Sequence, residues 1–219
     1  MTDERKSGWA LIAGTVAGII IMALHPTGHD IVAPGQLESI LRLSIAVHAV
    51  ALFSLPVLFL GAWGLSRRVE TGNRIALAGL VTYAFGLVAV MNAGVLNGLV
   101  APGILRQVLA PDSAASQGAH LMAGYYFRQN QAFAEVYVVA VSVAIALWSV
   151  SILRSRTLDR ALAIYGIILA PVILVALFSG HLSMGAHGFG MVVLCQGIWF
   201  IAAGVGLRRA QLSPERTGG

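Results

Sequence analysis

Six histidines, His25, His29, His48, His120, His181 and His187, are the groups in this 219-residue chain best suited to chemistry near neutral pH. Imidazole is the commonest side-chain ligand for zinc and also suits copper and nickel. His25, His29, His48, His181 and His187 form the candidate ligand set, with Asp30 or Glu135 as carboxylate partner. Three imidazoles on zinc would leave one open position for water. The metal would lower the pKa of that water toward ~7, and Glu135 or Asp30 would serve as base. Haem fits less well than zinc. It would need two histidines facing each other, for example His48 and His181, and paired histidines on each of two helices are absent.

A second constellation needs no cofactor. Arg128, Gln131 and Glu135 are spaced i, i+3, i+7, which puts them on one helical face. With Tyr126, Asn92 and Asn97 they would make an acid-base or binding pocket, with Glu135 as the proton donor and the amides and phenol as substrate contacts. A carboxylate inside a membrane segment costs several kcal/mol unless it is paired, hydrated or protonated. Ionisable residues in such segments are therefore functional candidates.

Positioning these groups falls to six apolar runs. The chain is 58% hydrophobic and only 11% charged, against ~25% charged for ordinary soluble domains. That balance excludes a disordered chain and an ordinary soluble enzyme. A spanning helix needs ~20 mostly apolar residues. Residues 8–24, 43–66, 75–100, 130–153, 161–179 and 188–207 qualify, the second and fifth with Pro56 and Pro171 inside them. Arg5 and Lys6 ahead of the first run suggest a signal peptide. The run is longer than the 7–15 residues of such a segment and ends in His25-Pro26-Thr27-Gly28-His29-Asp30, so it is read as a span. The expected fold is an all-α, six-helix polytopic membrane bundle, with residues 1–219 as a single domain.

Lys and Arg set the orientation. With the N-terminus inside, eleven of the fourteen basic residues fall on the inner side, and only Arg42, Arg106 and Arg128 fall outside. Both termini are thus expected in the cytoplasm of a multi-pass cell-membrane protein. The net charge of +5 is explained by loops facing anionic lipid rather than by nucleic acid. Cys195 is the single cysteine, so paired-thiol chemistry is disfavoured. Gly14 and Gly18 form a small-xxx-small pair that favours close helix packing within the chain, and nothing in the sequence argues for a homo-oligomer.

On this topology all six histidines lie outside or in the outer half of the bilayer. The inner half is nearly apolar, with Thr15 and Tyr83 as its few polar groups. The pattern implies a polar cavity open outward. The reading it favours is a membrane-embedded enzyme acting on a lipid-like or other amphipathic molecule, by metal-assisted hydrolysis or Glu-based acid-base chemistry. The alternatives are a small-solute or transition-metal permease and a non-catalytic binding or structural subunit. Three finer expectations complete the reading. Arg42 pairs with Glu38 one turn earlier. Ile104–Leu109 forms a small interfacial helix. Trp9, Trp63 and Trp148 are interfacial anchors, with Trp199 packed between helices.

Overall fold

A computed structural model describes residues 3–25, 37–70, 72, 74–108 and 114–209, with residues 114–116 as backbone only. The described residues form seven α-helices: α1 Asp3–Ala23, α2 Leu37–Val69, α3 Ile75–Val95, α4 Ala101–Val108, α5 Ala114–Ser155, α6 Arg160–Phe178 and α7 Ala186–Arg209. A π-helical turn, Leu96–Val100, joins α3 to α4. Six helical runs are long and apolar enough to cross a membrane, with α3, the π turn and α4 counted as one. Large apolar side chains ring the outside of the bundle, among them Phe53, Leu60, Phe85, Ile168, Val175 and Phe178. A soluble protein rarely exposes so much apolar surface, and a belt of this kind suits a lipid environment.

The helices alternate in direction, which brings the basic residues to one end. Arg68 Nη1 lies 3.2 Å from Glu4 Oε1, joining the end of α2 to the start of α1. The Arg208 guanidinium stacks 3.8 Å over the ring of Trp9, joining the end of α7 to the same place. Gly8 and Gly204 let α1 and α7 touch: a Cβ on Gly8 would stand 2.6 Å from the Gly204 carbonyl oxygen. Both ends of the described chain therefore lie at this basic end, and the described histidines lie at the other.

α5 is the central helix, packing chiefly on α3 and α6, while α1 packs on α2 and α7. The core near the basic end is aromatic. Trp148 and Trp199 stack with centroids 6.0 Å apart, and Tyr83 and Phe200 close around them at 5.3–5.4 Å. The Trp148 indole N–H donates to Ser66 Oγ at 2.8 Å and reaches the Ala76 carbonyl at 3.2 Å, and Trp199 donates to the Leu162 carbonyl. Trp148 is thus a fully buried core residue and not an interfacial anchor. Trp9 and Trp63 remain half-exposed, as an anchor requires. Gly14 receives Leu58 of α2, whereas Gly18 has no neighbour within 4 Å, so only half of the small-residue pair makes a helix contact.

Three further differences from the sequence reading concern the histidine end. The fourth helix, whose pattern is readable from near Gly118, starts at Ala114, well ahead of the apolar span at residue 130, giving 42 residues, or roughly 63 Å at ~1.5 Å per residue. The third does not stop at residue 100: the π turn carries it into α4, whose eight residues include Ile104–Val108 of the expected short helix. The helix runs on through Pro102 to Val108. Proline has no N–H to give to the carbonyl four residues back, Gly98, so the regular ladder is interrupted there. The π turn falls at that point. Finally, Glu38 pairs with Arg106 and not Arg42. Arg106 Nε and Nη2 donate to the two carboxylate oxygens at 2.8 and 3.0 Å. A planar two-point fork favours Arg106 although it lies 68 residues away. The contact clasps the start of α2 to the last turn of α4.

Candidate functional site

The π turn meets α2 at the strongest polar constellation of the histidine end. His48 is only 6% exposed on α2. Its Nδ1 lies 2.7 Å from the Ser44 carbonyl oxygen. A carbonyl can only accept, so Nδ1 carries the proton and Nε2 keeps its lone pair. That backbone bond fixes tautomer and ring orientation, an arrangement common to metal-binding and general-base imidazoles. The ring of His25, just past α1, stands edge-on to His48 with centroids 5.0 Å apart.

Gly98, within the π turn, makes room for this ring. A Cβ there would collide with the His48 Cβ and lie 3.0 Å from its Cγ. Beside it, Ser44 Oγ donates to the Asn97 carbonyl at 3.4 Å, and Asn97 Nδ2 donates to Asn130 Oδ1 at 2.9 Å. One polar chain thus ties α2, the π turn and α5 around two imidazoles. Isolated π turns within α-helices are frequent at functional sites. Ser44, Gly98 and Asn130 were not among the sequence candidates. The available signals were Ser44 one turn before His48, and Asn-Gly, a turn-forming pair, inside an apolar helix.

The other candidates are dispersed. His181 is exposed, with Nδ1 2.8 Å from Ser179 Oγ. His187 is exposed on the first turn of α7, and His120 is exposed on the early part of α5. His29 and Asp30 lie outside the described residues. Asn92 turns back on its own helix, donating to the Val88 carbonyl at 2.8 Å. Arg128, Gln131 and Glu135 share a face as expected, but Arg128 and Glu135 are exposed and Gln131 half-buried, so the face does not line an interior cavity. Tyr126 is half-buried. Among the described residues no group of three or more His, Cys, Asp or Glu is placed to hold a metal ion. Among the described histidines of the candidate set, the structure brings His25 onto His48 and supports no larger histidine cluster.

The sequence also missed a polar pair in the middle of the span. Gln196 of α7 is buried and donates to Ser142 Oγ of α5 at 3.0 Å. Below it Thr15 and Tyr83 are buried, and Tyr83 is packed among aromatic rings.

No protein family, curated protein or solved structure matches this chain. The described residues form an all-helical protein with six helices long and apolar enough to span a membrane.

Proposed function

We propose that the protein acts on an amphipathic molecule at the outer face of a membrane, with His48 and His25 as the groups that meet it. The observation that carries this reading is the His48 ring, buried, locked by its Nδ1–H bond to the Ser44 carbonyl, and presenting Nε2 beside a second imidazole. Such a lone pair serves as a general base or as a ligand to a transition metal, zinc above all. Two imidazoles alone do not complete a zinc site, which takes three protein ligands and a water when catalytic. The basic end is assigned to the cytoplasm by its concentration of Arg and Lys.

The packing around Tyr83 and Trp148 supports an outward-facing site over a permease, because ions or polar solutes would have to cross this dry aromatic layer. Glu135 receives less weight as proton donor than the sequence reading gives it, since it stands on an exposed face away from the imidazoles.

The test compares purified wild type with His48→Gln. Bound transition metals are measured by elemental mass spectrometry and co-purifying lipids by lipid mass spectrometry. Loss of a stoichiometric metal or of one lipid class in the variant supports the proposal. Identical metal and lipid content in the two proteins sinks it.

A further inference from the structure

A crevice of about 290 Å³ opens between the histidine ends of α1 and α7. Met22 and Ala23 form part of one wall, and Gly190, Val193 and Leu194 part of the other. His187 is the one polar side chain that lines it. Ile20 and Leu194 beside it are about half exposed to the lipid belt, so the crevice opens sideways into the membrane. Water is a poor occupant, because a buried water needs two to four polar partners. An apolar slot of this kind within a bilayer takes hydrocarbon.

Its position gives that hydrocarbon a direction. The α1 wall ends at Ala23, and the chain turns there, with the His25 amide donating to the Met22 carbonyl at 3.4 Å. His25 then stands against His48. We propose that the crevice binds one hydrocarbon chain of a membrane amphiphile and so delivers its polar end to His187 and the His25–His48 pair. This rests on the reading of the pair as the functional site and names the substrate class for it: a chain-bearing lipid reached from within the leaflet. Gly190 leaves the slot open. A Cβ there would meet only the terminal carbon of Met22, at 3.7 Å, so a larger side chain would occupy the space without striking backbone.

The full chain is placed in phosphatidylcholine bilayers containing phosphatidylcholine with a mid-chain diazirine, irradiated, digested and mapped by mass spectrometry. The expected result is labelling at Met22–Ala23 and Val193–Leu194 severalfold above that at Phe53, Phe85 and Val175, which mark general lipid contact. Gly190→Leu should reduce the crevice label severalfold. Val193→Phe fills the slot from a second position should Gly190→Leu not fold. Crevice labelling no greater than the belt's, or insensitive to both filling variants, overturns the inference while leaving the His48 metal and lipid comparison standing. Selective crevice labelling alongside unchanged metal and lipid content in His48→Gln overturns the delivery step by failure of the site reading.

Discussion

Gly98→Ala tests the geometry of the imidazole site directly. The added Cβ would collide with the His48 Cβ and stand 3.0 Å from Cγ. Apolar carbons rest at ~3.5–4.0 Å, so the π turn and α2 must separate by about 1 Å. The Ser44 Oγ to Asn97 carbonyl bond, already 3.4 Å long, does not survive that shift. Overpacking of this kind costs about 1–3 kcal/mol. For a chain of this size each kcal/mol is worth about 2–4 °C, so Tm should fall by roughly 2–12 °C. Gly103 is the control. It lies five residues on, in α4, and a Cβ added there would have nothing within 4 Å. Gly103→Ala should hold or raise Tm, since glycine inside a helix is about 0.5–1 kcal/mol worse than alanine. The second readout is carbethoxylation of histidine, followed by peptide mass spectrometry. His48 should be slow in wild type and Gly103→Ala, and fast in Gly98→Ala. Equal melting and equal His48 protection in all three proteins would refute the close approach of Gly98 to His48.

Three further outcomes are expected. Trp148→Phe removes the indole N–H that Ser66 Oγ and the Ala76 carbonyl accept in a buried layer, so it should cost about 1–3 kcal/mol and lower Tm in a thermal melt. Asn130→Leu breaks the Asn97–Asn130 bond, and a double-mutant cycle with Asn97→Leu should return a coupling of about 0.6 kcal/mol, the average for hydrogen bonds between membrane helices. A coupling of zero would show that the two amides do not meet. In a Cys195→Ser background, a new cysteine at Ser183 should react with an impermeant maleimide on intact cells, and one replacing Arg209 should react only after permeabilisation; the reverse pattern would invert the proposed orientation.

The six apolar runs and the basic end were legible in the sequence because both depend on composition alone. What was not legible depends on helix rotation. Trp148 lies six residues from Arg154, where an anchoring tryptophan also belongs, and only its rotation toward Tyr83 makes it core. Glu135 lay on a correctly assigned face, but nothing local said that the face turns outward. The early part of α5 has the mixed composition of a loop, with Gly118, Gly124 and several amides, so its helix was legible from near Gly118 only as a pattern and not as part of the apolar span. Glu38 offered Arg42 as a neighbour in sequence, while the partner it took arrives from α4. The approach of His25 to His48 was hidden for the same reason, being set by how α1 and α2 pack on each other.

The depth of the polar groups follows from the helix rise. Counting from the basic end at ~1.5 Å per residue, Lys6 to His25, Arg67 to His48 and Arg154 to Glu135 are each 19 residues, or about 29 Å. Arg208 to His187 is about 32 Å and Ile75 to Asn97 about 33 Å by the same rise. The hydrocarbon core of a bilayer is ~30 Å thick. Glu135 is therefore not a charge stranded deep in the membrane. On the proposed orientation it falls at the level of the headgroups, where hydration removes most of the desolvation cost and an exposed carboxylate is tolerable. The same level explains why imidazoles, amides and an opening to lipid coincide. A lipid's polar end is held at that depth by the bilayer itself, so on the proposed reading a pair of imidazoles placed there would meet it without the lipid having to leave the leaflet.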